Sequence, residues 1–136
     1  MAEVNPTEGN TIISGPAPGS ATAGKSKSVS RMKLRGTVVS DAAGIATLSF
    51  QVPTGYDWFI ERGRIRSTSV MVSRCEIFDG IVDNTHSDDF TLNGNDDIMD
   101  NFQPAWFGNG TQLIVYWTGT TPGCQCYASL QVRSEG

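Results

Sequence analysis

The chain has a single histidine, three cysteines and, beyond Arg74, only one positive side chain, Arg133. Each shortage removes a class of function. One imidazole cannot build a multi-histidine metal site, and His86 lies in a polar stretch with no G-x-S-x-G elsewhere to supply a serine nucleophile. No C-x-x-C occurs, so zinc finds no ligand set of the usual spacing. Neither a phosphate-cradling P-loop nor a dinucleotide fingerprint is present. No apolar run approaches the roughly 20 residues needed to cross a bilayer. The opening MAEVNPTEGN has no basic n-region and no apolar h-region, so the expectation is a soluble protein made without Sec export and without membrane insertion.

An odd number of cysteines cannot be fully paired within one chain. Cys124 and Cys126 are two apart, which on a strand puts both side chains on one face and disfavours a bridge between them. Small buried thiols are the expectation, with a bridge from Cys75 to one of the pair as the alternative.

What is present has a period of two. Ala46, Leu48, Phe50 and Val52 alternate up to Pro53-Thr54-Gly55, and Trp58 and Ile60 alternate beyond it, which predicts a hairpin with Trp58 opposite the apolar face of the first strand. Met32, Leu34, Val38 and Val39 predict a strand with Lys33 and Arg35 on its wet side. Further strands are predicted through Gly63–Ser67 and from Val70 through Cys75 to Phe78. Leu113, Val115 and Trp117 share one face of a late strand, with Ile114 and Tyr116 on a second, partly covered face. Cys126, Ala128, Leu130 and Val132 close the pattern, with Gln131 and Arg133 facing out. Residues 83–101, dense in Asp, Asn and Gly, read as a long surface excursion anchored by Phe90, Leu92, Ile98 and Met99.

Seven or eight strands, closely spaced turn signals and no helical period predict an all-β chain, a single β-sandwich or jelly-roll-like domain over residues 31–136. Residues 1–30, rich in Gly, Ser, Ala, Thr and Pro, read as a flexible N-terminal arm, whose Thr11-Ile12-Ile13 patch, Lys25 and Lys27 suit docking on a neighbouring subunit. The expected core is Leu48, Phe50, Trp58, Ile60, Val72, Ile77, Val115, Trp117 and Leu130.

Charge divides along the chain, +4 over residues 1–74 and −8 over residues 75–136, for a total of −4. A net acidic chain is a poor general nucleic-acid binder. Glu76, Asp79, Asp83, Asp88, Asp89, Asp96, Asp97 and Asp100 offer oxygen ligands for calcium, but Asn93-Gly94-Asn95-Asp96-Asp97 lacks the order and closing Glu of an EF-hand, so a solvated acidic loop is the plainer reading. Acid pairs such as Asp96 and Asp97 formally meet the needs of glycoside hydrolysis, yet nothing in the pattern sets their separation. Trp106-Phe107-Gly108-Asn109-Gly110 suits either a core or subunit contact or an aromatic platform for sugar. Arg62, Arg64 and Arg66 repeat along one strand face, either as a solvated edge or as partners for the acidic half of an adjacent copy. No catalytic, cofactor-binding or metal-ligating residue is assigned.

The segments Val52-Pro53-x-Gly55-Tyr56-x-Trp58-x-x-Glu61-Arg62, Gly94-Asn95-Asp96-Asp97-Ile98-x-Asp100, Gln103-Pro104 and Gly110-x-x-Leu113-x-Val115-x-Trp117-Thr118-Gly119-x-x-Pro122-Gly123 occur in that order. Over residues 46–133 this resembles small β-sandwich virion proteins of tailed bacteriophages, of minor tail or decoration type. The resemblance implies a non-enzymatic structural or attachment component of the particle, in contact with other capsid or tail proteins and assembled in the host cytoplasm; the arm and the opposite charge of the two halves suit a homo-oligomer. A host-surface glycan is a further implied partner. The N-terminal arm and the three cysteines lie outside the pattern. The alternative reading is a carbohydrate- or calcium-binding module for surface attachment.

Overall fold

The computed structural model describes residues 12–13, 28–102 and 104–136. Every regular element among them is a strand: β1 (Ile12–Ile13), β2 (Ser28–Val39), β3 (Ala46–Gln51), β4 (Asp57–Ser67), β5 (Arg74–Asp79), β6 (Ser87–Thr91), β7 (Asp96–Met99), β8 (Ala105–Phe107), β9 (Gln112–Thr118) and β10 (Gln125–Glu135). They form two antiparallel sheets. One has the order β1-β2-β10-β4-β7, with β8 pairing the same strand β4 as β7 does; the other has the order β3-β9-β5-β6. The all-β sandwich expected from the period-two pattern is the fold.

Alternation explains why two sheets close on each other. Cys126, Ala128, Leu130 and Val132 of β10 turn to one side, as do Leu113, Val115 and Trp117 of β9, and all are buried. Neither face is stable in water alone, so they pack together. In β4 the alternation changes phase. Trp58 and Ile60 point inward, and then Gly63 and Ile65 do, because the pairing with β10 skips a residue between Ile60 and Arg62. A bulge at Glu61 therefore turns Arg62, Arg64 and Arg66 together to the outside.

The Pro53-Thr54-Gly55 turn forms, with Tyr56 N–H donating to the Pro53 carbonyl at 3.1 Å and Gly55 at φ 90°. It does not make the expected hairpin. β3 pairs with β9 and β4 with β10, so the turn carries the chain from one sheet to the other. The apolar sides of β3 and β4 are in this way turned toward one interior from two different sheets.

Three further expectations need correction. Val72 is 77% exposed, because Thr68–Ser73 is a loop and the following strand begins only at Arg74. Leu48 and Phe50 are half-buried rather than central. Residues 83–101 are not a single excursion: they contain β6 and β7, edge strands of opposite sheets. Of their expected anchors only Met99 is buried, while Phe90, Leu92 and Ile98 remain exposed. At the amino end β2 starts at Ser28, and Ile12 and Ile13 pair with Val29 and Ser28. The rest of the arm, Lys25 and Lys27 included, lies outside the described residues, as does Gln103.

Candidate functional site

The acidic stretch does not converge on one point. Asp83 accepts from Thr85 N–H at 2.9 Å and its Oδ1 lies 2.6 Å from Nδ1 of His86. Asp96 takes Arg64 at 3.0 Å, and Asp97 accepts from the Thr91 hydroxyl. Asp89 is buried on β6, with one oxygen accepting from Phe90 N–H and the other without a partner among the described residues. Among those residues no three His, Cys, Asp or Glu side chains are placed to hold a metal ion.

Asp88 and Asp79 sit near one another at the β5–β6 end. Burial, then repulsion from Asp79 and Asp89, pushes the Asp88 carboxyl up to about 6 against the pull of His86. Burial also raises Asp79. Hydrogen bonds, first from His86 and then from Thr85, hold Asp83 down at about 2. A folded-state pKa above the unfolded value means that the fold binds the extra proton, so the Asp88 contribution is lost as pH rises from about 4 to about 6. The Asp83 contribution has the opposite sign and disappears only as pH falls toward 2. Asp88→Asn should therefore raise the unfolding free energy from urea titration at pH 7 by about 1 kcal/mol once solvent screening is allowed for, and change it little at pH 4. Equal shifts at both pH values would remove the ionisation from the explanation.

Positive charge, by contrast, is gathered. Along β2 the register sets Arg31, Lys33 and Arg35 beside Arg133, Gln131 and Ser129 of β10. On the other flank of β10, Arg62, Arg64 and Arg66 of β4 stand beside Gln131, Ser129 and Tyr127. The inward neighbours of all these residues form the core, so the cations rise from the outer face of the six-stranded sheet. Lys33 and Arg62 flank Gln131, and Arg35 and Arg64 flank Ser129, two rows about 10 Å apart across the sheet. Arg74 alone of the described cations stands on the other sheet, over the Phe90 ring at 4.5 Å.

Some of this charge is answered locally. Arg31 meets Glu61 at 3.2 Å, and Arg133 meets Glu135 at 2.9 Å while stacking over Phe59 at 4.5 Å. These partly exposed pairs are worth at most about 1 kcal/mol each. Lys33, Arg35, Arg62 and Arg66 have no ion pair among the described residues. Three shallow depressions lie on this face, of about 420, 250 and 370 Å³. The first two share Lys33 and Gln131, and the last two share Arg64 and Ser129, so they adjoin one another in a grooved track along the outer side of β10.

Period two in Arg62, Arg64 and Arg66, and the wet side holding Lys33 and Arg35, were both readable from sequence. Their placement on either side of β10 was not, because β10 lies some sixty residues or more from each in the chain. The aromatic pair divides: Phe107 is fully buried, and Trp106 points outward beside Phe59 at 58% exposure.

The three thiols are free and buried, with Cys124 and Cys126 sulfurs 4.0 Å apart. Burial raises the Cys75 thiol far above its ordinary value and, with the neighbouring Cys124, pushes Cys126 up to about 12. Thiolate is the reactive form, so a disulfide-exchange reagent should titrate neither Cys75 nor Cys126 in the native protein and all three cysteines after denaturation. Rapid native labelling at Cys75 would contradict that burial.

The fold and this face define a compact antiparallel β-sandwich with a cationic outer sheet. No protein-family model matches the chain, and no curated protein or solved structure matches it either.

Proposed function

We propose that this chain is a non-enzymatic structural protein of a tailed-bacteriophage virion, a capsid-decoration or tail-associated subunit that assembles as a homo-oligomer and is anchored by its N-terminal arm. The observation that carries the assembly reading is the Thr68–Ser73 loop. Val70, Met71 and Val72 stand 86, 49 and 77% exposed in succession at one end of the sandwich.

Hydrogen bonds hold that loop in place. Val70 N–H donates to the Thr121 hydroxyl at 2.9 Å, and the Met71 carbonyl accepts from Asn95 at 2.9 Å and from the Ser69 hydroxyl at 2.7 Å. An apolar tip fixed in water is costly for a monomer and useful to a subunit whose neighbour covers it. The resemblance of the ordered motif segments to small virion proteins of tailed phages supports the rest of the reading.

Light scattering on the full chain should give one discrete oligomer, and Val70→Ser with Val72→Ser should shift it toward monomer with the fold intact. Deleting residues 1–27, which removes β1 and leaves β2 whole, should abolish binding to tailed-phage particles that lack the protein. A strict monomer that also fails to bind particles overturns the proposal.

A further inference from the structure

We propose that the groove along the outer side of β10 is a binding site for a linear acidic polysaccharide. This goes beyond the assembly reading and uses another surface, so either stands if the other fails. Three adjoining shallow depressions follow β10 in a row, an extended track that suits a chain rather than a compact ligand. Its walls are the cation pairs Lys33 and Arg62, then Arg35 and Arg64, and its floor is the uncharged row Gln131, Ser129 and Tyr127.

Guanidinium forks match carboxylates in two-point contacts, and along β4 they recur about every 7 Å, the repeat of alternate residues on a strand. The Ser129 hydroxyl and Gln131 amide can donate to and accept from sugar hydroxyls, and the half-buried Tyr127 ring offers an apolar face to a pyranose.

Other occupants fit less well. A single nucleic-acid strand gains its sequence-tolerant affinity from successive aromatic platforms, and the groove floor has one aromatic residue. A peptide strand adds to a sheet edge, whereas β10 is paired on both sides. Of the chain's own acids, Asp96 answers only Arg64 of the wall, Asp83 and Asp97 are engaged elsewhere and Asp89 is buried.

Calorimetry with the full chain tests the site, using polygalacturonate, neutral dextran and a thymidine oligonucleotide as probes. Polygalacturonate should bind at low salt, dextran should not, and raising the salt toward 1 M should weaken binding by about tenfold or more. Arg35→Ala with Arg62→Ala, one cation from each wall, should cost about tenfold, and Ser129→Glu, which sets a carboxylate on the floor, should abolish binding. Arg74→Ala on the other sheet should change nothing. The inference is overturned by silence with polygalacturonate, by equal binding of dextran, by tighter binding of the oligonucleotide, or by an equal loss in Arg74→Ala.

Discussion

Trp117→Ala removes about 3–5 kcal/mol of stability, the range for truncating a large aromatic residue in a closed core. Trp117 is fully buried on β9, in register with Ala46 of β3 and Cys75 of β5, so the cavity opens on the inner face of the four-stranded sheet between those two strands. Its indole N–H also donates to the Gly94 carbonyl at 3.1 Å, and Gly94 N–H donates to the Ser73 carbonyl at 2.7 Å. One side chain thus ties the β6–β7 turn and the Thr68–Ser73 loop to the interior. Against a typical total of about 5–15 kcal/mol, the variant is left marginal. Urea unfolding followed by circular dichroism measures it without relying on the lost fluorophore. Trp117→Phe keeps most of the volume and loses the hydrogen bond, so it should cost about 1–2 kcal/mol. A loss below about 1 kcal/mol for the alanine variant would mean that the interior is not organised around this residue.

Gly44→Ala should cost about 2–4 kcal/mol, although it adds only one methyl group, at the buried end of the β2–β3 turn. Gly44 has φ 75°, and a Cβ there would stand 2.5 Å from the Thr120 carbonyl oxygen, a backbone atom that cannot swing aside. The Gly44 carbonyl accepts from Thr120 N–H at 3.1 Å and from its hydroxyl at 2.9 Å. Moving the turn to relieve the clash therefore breaks the latch between the β2–β3 and β9–β10 turns. Gly55→Ala is the control. Gly55 has φ 90°, but an added Cβ meets nothing within 4 Å, so only the backbone penalty of about 1 kcal/mol remains. Equal losses in the two variants would show that the contact with Thr120 has no role.

The contrast between Val72 and Trp58 shows how far pattern reading reaches. Both are apolar and both sit in stretches that alternate. Trp58 is buried because its strand is paired on both sides and its face meets the other sheet. Val72 follows the same local grammar but stands in a loop that side-chain hydrogen bonds from Asn95 and Thr121 hold away from the sheet. Those partners lie more than twenty residues off, where a period-two count has no information. The hairpin expected around Pro53-Thr54-Gly55 failed for the same reason. Turn chemistry specifies that the chain reverses, and the sheet a strand joins is set by its pairing with a distant strand, β9 for β3 and β10 for β4.

Side-chain alternation was enough to specify an all-β sandwich and the inward residues of β9 and β10. It follows from the geometry of a single strand, which needs no neighbour to set it. Arg62, Arg64 and Arg66, in phase with Trp58 and Ile60 by count, face out only because pairing with β10 places a bulge at Glu61. The cationic groove depended on assembly. It exists because β10, the last strand in the chain, inserts between β2 and β4, and long-range pairing of that kind is a property of the packed molecule that composition, with its net charge of −4, concealed.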